Sequence, residues 1–385
     1  MDKIWTKDFI LVSTANFIVT FVYYTLMIIL TVFAMDELGA TPAEAGLAVG
    51  LLILSTLGAR IFSGRYIEDI GRTRFMRIGA IIFAGGTVLY PFADSIEMLY
   101  LVRILHGIGF GCVLTALGTL AAVLVPRKRQ GEGLGYFLLS ITLASAIGPL
   151  VAIVMQEHMT IADIFILDSI LAVIGCILTR FVTDQPPLPP EKRTARASGW
   201  HAFFEPSAIP IGIVSLLMFL GYAGIAAFFS PYMIETDLTE AGALFFLVYS
   251  ATILVTRPFT GRWSDSKGLS FVLYPSFVFF AVALAWLSIV TSGWEVLGSA
   301  VFMGLGFGAF VAAGQTCAIR GLPNDRIGVA TTTFMAISEL GTGFGPFLFG
   351  LILPAVGYSG IYQISAVICL LAGAVYWGLY RGKRE

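Results

Sequence analysis

ARIFSGRYIEDIGR (residues 59–72) returns 197 positions later as TRPFTGRWSDSKG (residues 256–268), and this echo decides the fold. Arg60 and Gly64 answer to Arg257 and Gly261, and Gly71 answers to Gly268. The same offset relates Gly107, Gly109 and Gly111 of HGIGFG to Gly304, Gly306 and Gly308 of MGLGFG. It also relates Pro126 and Arg129 to Pro323 and Arg326, and Gly148 and Pro149 to Gly345 and Pro346. One constant offset across four separated clusters means two copies of one unit. Two joined copies of a helical unit are the usual construction of a carrier that opens alternately to either side of a membrane.

Composition sets the solvent in which those copies fold. The chain is 57% hydrophobic and 12% charged, against roughly 25% charged in a soluble domain, so it lacks the polar surface a water-soluble particle of this size needs. Apolar stretches of about 20 residues, enough to cross a hydrocarbon core of roughly 30 Å, recur at 9–33, 43–63, 74–93, 98–125, 131–155, 161–183, 208–233, 241–263, 270–291, 294–320, 327–354 and 359–380. The expected class is an all-α membrane protein with twelve transmembrane helices in two pseudo-symmetric six-helix bundles, residues 1–183 and 208–385. The proline-rich, then basic, segment 184–207 joins them as a cytoplasmic linker, and its GWHAFF run could lie along the membrane surface. The first stretch is too long for a signal-peptide core and is expected to stay as a helix.

Basic residues orient the chain, because Lys and Arg are retained on the cytoplasmic side. Lys3, Lys7, Arg65, Arg72, Arg74, Arg77, Arg127, Lys128, Arg129, Arg180, Lys192, Arg193, Arg196, Arg257, Arg262, Lys267, Arg381, Lys383 and Arg384 fall on one side. The opposite connections carry Asp36, Glu37, Asp94, Glu97, Glu157, Asp163, Glu235, Asp237 and Glu295, with no Lys or Arg. Both termini are therefore expected in the cytoplasm, and the protein in the cell (inner) membrane. Cys112, Cys176, Cys317 and Cys369 all fall inside apolar stretches, which gives neither a disulfide framework nor a metal-ligand spacing. Three histidines, no HExxH and no clustered carboxylates leave nothing to build an enzyme from. HGIGFG has the glycines of a dinucleotide loop but sits in a long apolar helix, so the glycines read as close-packing positions. No metal, cofactor or nucleic-acid partner is expected.

With these residues in place, the chain resembles the major facilitator superfamily, and within it the twelve-span drug:proton antiporter branch. The superfamily's loop signature after the second helix is matched by Gly64, Glu68, Gly71, Arg72 and Arg74, with Glu68 in place of the usual Asp and Asp69 beside it. The second copy, Gly261, Asp265, Lys267 and Gly268, keeps the Asp. The resemblance implies a conformational latch there, where charge pairs and helix-end dipoles act on the cytoplasmic side; a solvated turn is the plainer alternative. Arg103, Gly107 and Gly111 match the family's fourth-helix pattern. LASAIGPLVA (143–152) matches the antiporter motif of helix 5 in Gly148 and Pro149, although Ala144 and Ala152 stand where glycine is frequent. A proline bends the span, and Gly345 with Pro346 repeats the kink.

Chemistry is sought where the symmetry breaks, because Arg103 faces Ala300 in the repeat and Glu339 faces Thr142. An arginine or carboxylate inside a span is costly unless it has a partner or a wet cavity, which makes both functional candidates. Glu339 could carry a proton, hold a cationic substrate, or tie helices together. Arg103 is the candidate coupling partner, with His106 on the same helix face; a hydrogen-bonded interior histidine is the alternative. Asp168 is a further candidate for coupling or for a structural contact. Asn16, Tyr23, Tyr24, Tyr222 and Gln315 are candidate cavity-lining groups. The expected function is export of a small organic molecule, a drug-like compound or metabolite, by proton antiport through a monomer. A proton-coupled uptake permease for a sugar or other metabolite is the alternative.

Overall fold

A computed structural model describes residues 3–126, 129–184, 204–322 and 326–380, without the side chains of residues 64, 65, 130, 131, 258, 265 and 328. Residues 185–203 of the expected linker, and the basic residues Arg127, Lys128, Lys192, Arg193, Arg196, Arg381, Lys383 and Arg384, lie outside that description, as does Pro323. Every element among the described residues is helical: α1 Lys7–Val32, α2 Pro42–Ile70, α3 Arg72–Val88, α4 Ile96–Leu124, α5 Gln130–His158 and α6 Ile161–Arg180 in the first copy, then α7 Ile209–Glu235, α8 Thr239–Lys267, α9 Ser270–Leu287, α10 Gly293–Met303, α11 Ala309–Ile319 and α12 Ile327–Tyr380. Among the described residues eleven helical stretches are long and apolar enough to cross a membrane. The chain divides into two compact units, Met1–Ala40 with Leu47–Thr194, and Thr41–Gly46 with Ala195–Glu385.

Local chemistry starts and stops these helices. Thr6 caps α1 and Ser95 caps α4, their hydroxyls accepting from Phe9 N and Met98 N. Thr160 with Asp163, and Ser292 with Glu295, form capping boxes on α6 and α10. Each satisfies first-turn amides that have no intrahelical acceptor, so two of the acidic residues on the Lys- and Arg-free side have a structural use. Gly71 and Gly268, equivalent in the repeat, adopt φ of 94° and 90°. Only glycine takes that conformation without strain, and it separates α2 from α3 and α8 from α9.

The two copies repeat their contacts as well as their letters. A methyl group at Gly109 would overlap the backbone of Phe83, and one at Gly306 the backbone of Phe280; 83 and 280 are themselves one repeat apart. Gly107 lies on Leu52 and Ser55, Gly304 on Tyr249 and Thr252, again at the same offset. The glycines therefore let backbones touch, as their recurrence on apolar helices implied. One difference is local: Gly304–Gly308 forms a π turn between α10 and α11, whereas residues 107–111 stay α-helical.

The last helix changes direction. Over its 54 residues, α12 departs from helical geometry at Gly357, with φ 67° and ψ 175°. Before that residue Ile337 meets Gly212, Gly341 meets Leu216 and Gly345 meets Leu220, so this arm runs parallel to α7. Beyond it Ile361 meets Gly224 and Cys369 meets Gly221, so the second arm runs antiparallel. The reversal falls within the connection expected at 355–358.

Candidate functional site

Arg103 is 2% exposed and all three parts of its guanidinium are engaged. Nε donates to Ala48 O at 2.9 Å, Nη2 to Val49 O at 3.3 Å and Nη1 to the Tyr90 hydroxyl at 3.0 Å. That hydroxyl is 3.0 Å from His106 Nδ1, and His106 Nε2 is 3.3 Å from Thr87 Oγ1. A buried guanidinium held by backbone carbonyls and a phenol ties α4 to α2 and to the turn after α3, with no carboxylate contact among the described residues. His106, fully buried, has both ring nitrogens hydrogen-bonded. Asp168 on α6 is 2% exposed, and its Oδ2 has no hydrogen-bond partner among the described residues. The adjacent Ser169 donates to Thr87 O at 3.2 Å, which brings this part of α6 to the level of the His106 network.

On α1, Asn16 is completely buried and donates through Nδ2 to Ser140 Oγ of α5 at 2.8 Å. Its Oδ1, Ser13 Oγ and Thr20 Oγ1 are all out of solvent without a partner among the described residues. Spaced i, i+3 and i+7, these three form one polar strip along the helix. Tyr23 stacks on Phe110 with ring centres 4.7 Å apart, and Tyr222 stacks on Phe307 at 4.6 Å. Phe110 and Phe307 are repeat equivalents, so each unit holds a tyrosine of its first helix against the phenylalanine of its glycine-rich helix. Tyr24, Tyr222 and Gln315 are half-buried. Tyr90 and the two phenylalanines were not among the residues picked out from the sequence. The phenylalanines carried a signal, since GFG recurs at the repeat offset; Tyr90 carried none.

Glu339 is half-buried on the first arm of α12, with Oε2 out of solvent contact. One residue before it, Ser338 and Ser215 of α7 share a hydrogen bond of 2.6 Å that fixes the rotation of this arm. Pro346 lies two turns further on. At the basic loop signature, Arg72 Nε donates to Glu68 Oε1 at 2.6 Å, while Asp69 is exposed and Lys267 sits 4.4 Å over the Phe271 ring. The surroundings of Gly64 and the side chain of Asp265 belong to the residues not described.

A further pair closes the second unit where α7 begins. Arg326 reaches Glu205 at 2.7 Å, and Glu205 also accepts from Ser207, while its own amide donates to Thr333 Oγ1 at 2.9 Å. Burial pushes the Glu205 carboxyl up, but the Arg326 guanidinium and the Ser207 hydrogen bonds outweigh it and hold it below the usual carboxylate range. The repeat equivalents, Asp8 and Arg129, take other partners: Asp8 accepts from Thr183, and Arg129 pairs with Glu132 at 2.8 Å. Position 132 corresponds to Val329, so in the second copy the arginine has no such neighbour and turns to Glu205.

The chain is 22% identical to a staphylopine export protein of Staphylococcus aureus over 92% of each chain. It is 24% identical to an uncharacterised MFS-type transporter of Methanocaldococcus jannaschii, over 88% of this chain and 90% of that one. Among solved structures, a mutant of the nucleoside transporter NupG superposes with a TM-score of 0.82 at 12% identity, covering 97% of this chain and 100% of that one. A POT family transporter in complex with 5-aminolevulinic acid gives 0.81 at 13% identity, covering 97% and 96%. At such identities the likeness speaks for the fold alone. The sequence model of the Major Facilitator Superfamily matches residues 12–338 and again 211–385, and with the helical repeat described above this makes the chain a multi-pass membrane transporter of the Major Facilitator Superfamily.

Proposed function

We propose that this transporter exports a small organic molecule in exchange for protons, through alternating access of a twelve-crossing monomer built as two six-helix bundles with both termini in the cytoplasm. Counting twelve requires α12 to cross twice. Its 54 residues would measure about 80 Å as one straight helix, against a hydrocarbon core of roughly 30 Å, and the reversal at Gly357 supplies the turn. The observation that carries the coupling proposal is Glu339, a carboxylate half-buried within a span, one of whose oxygens is sealed from solvent. Such a group changes its charge when the surrounding helices change its hydration. Binding a proton from outside favours one state and substrate from inside the other; exchange needs only that the two ligands prefer different conformations. The staphylopine exporter among the relatives supports the outward direction.

In this reading Arg103, with Tyr90, His106 and Asp168, is the buried polar element of the first unit whose hydrogen bonds re-form between states. Glu68, Asp69, Arg72, Arg74, Asp265 and Lys267 act as the latch. The test begins with a thermal-shift screen of purified protein against drugs, metallophores and sugars, followed by transport of the hit in proteoliposomes under an imposed pH gradient. Glu339→Gln is expected to abolish proton-linked flux; unchanged pH-dependent transport excludes the role. Flux driven with the proton gradient rather than against it would select the uptake alternative. For the latch, Asp265→Ala should slow turnover and leave binding of the hit intact.

A further inference from the structure

Three basic residues of the first unit meet at a groove of about 480 Å³ between the start of α3 and the end of α6. Arg74, Arg77 and Arg180 line it, with Asp184 as the single carboxylate among the described lining residues and Ile78 and Ile81 as its apolar floor. Arg77 is committed to the protein: it pairs with Asp184 at 2.9 Å and donates to Val182 O at 2.9 Å, covering carbonyls at the end of α6. Arg74 and Arg180 make no hydrogen bond or ion pair to any described residue. Among the described lining residues three guanidiniums face the one carboxylate of Asp184, which is itself 77% exposed, so their summed charge is positive. The groove also receives the amide end of α3, whose cap residue Gly71 brings no side-chain acceptor.

Two observations narrow the ligand. Arg74 and Arg180 sit at the ends of their apolar stretches, Arg72–Phe92 and Ile161–Arg180, where a hydrocarbon core gives way to headgroups. Ile78 and Ile81 lie one and two turns deeper on α3 and are 44% and 56% exposed. A charged rim over an open apolar wall fits an amphiphile; a free phosphate has no use for the isoleucines. The repeat shows that the scaffold itself does not require the charge: positions equivalent to Arg74, Arg77 and Arg180 are Phe271, Tyr274 and Trp377.

We propose that this groove binds one anionic phospholipid, with its phosphate between Arg74 and Arg180 and an acyl chain along Ile78 and Ile81. Each guanidinium near an anionic headgroup is worth about 1 kcal/mol, or roughly fivefold in affinity. The experiment is native mass spectrometry of the full-length protein in detergent, titrated with phosphatidylglycerol, phosphatidylcholine or inorganic phosphate. The expected result is one saturable phosphatidylglycerol adduct, weakened roughly 30-fold by Arg74→Gln with Arg180→Gln and retained by Arg74→Lys with Arg180→Lys. Should the neutral double variant fail to elute as folded protein, Arg180→Gln alone is read, with a loss of about fivefold expected. Equal retention of the two lipids, an unchanged adduct in the neutral variants, or displacement of the lipid by millimolar phosphate would each overturn the assignment.

Discussion

Adding one methyl group at Gly109 and one at Gly118 should move stability in opposite directions, although both glycines lie in the same helix. A Cβ at Gly109 would meet Phe83 N, Phe83 Cα and Ile82 C, all main-chain atoms that no rotamer change can move. Separating α3 from α4 to admit it costs about 3 kcal/mol, the upper part of the range for overpacking. Alanine recovers about 1 kcal/mol of helix propensity relative to glycine, which leaves a net loss of about 2 kcal/mol. At Gly118 nothing lies within 4 Å, so only the propensity gain remains, about 1 kcal/mol. Gly306→Ala repeats the Gly109 contact in the other unit, against Phe280, and should cost the same. Because the two sites share no partners, the double variant should lose about 4 kcal/mol. Thermal unfolding of detergent-purified protein, followed by intrinsic fluorescence, reads the order Gly118→Ala above wild type, above either single variant, above the double. A Gly109→Ala protein as stable as wild type, or a Gly118→Ala protein as damaged as Gly109→Ala, would refute the argument that backbone contact is what these glycines provide.

Two further perturbations test the loops. Stability from the Glu205–Arg326 pair should be present in full above the unfolded carboxyl value of about 4.5 and lost as pH falls through the lower folded value. The melting difference between wild type and Glu205→Gln is therefore expected to be constant from neutral pH down to about pH 5 and to close below it; a difference that persists there would assign the effect to packing. Gly268→Ala forces a side chain into φ 90° and should cost about 1–3 kcal/mol, whereas Gly261→Ala, with nothing within 4 Å of the new methyl group, should not destabilise. Melting temperatures of the two variants decide it.

What the sequence disclosed and what it withheld divide along one physical line. Glycines at 107, 109 and 111 and again at 304, 306 and 308 announce close approach because the constraint acts on the residue itself: any side chain would collide. Gly71 and Gly268 are legible for the same reason, their backbone angles excluding other residues. The partners of Arg103 were hidden because two of the three are backbone carbonyls, of Ala48 and Val49, and a carbonyl has no letter. The third, Tyr90, was hidden because nothing in the pattern around it marks a phenol that would reach both Arg103 and His106. The Glu205–Arg326 pair lies between these cases. Arg326 is the repeat partner of Arg129, and the change from Glu132 to Val329 removes the acid three residues on, so the search for a replacement was available from the alignment of the two copies. The same comparison, applied to Arg74, Arg77 and Arg180, turns an arrangement that could pass for positive-inside charge into a cluster of arginines that only one copy carries. Positions that keep their identity across the repeat report on how the helices fit. Positions that lose it, in a scaffold that tolerates either residue, report on what the protein holds.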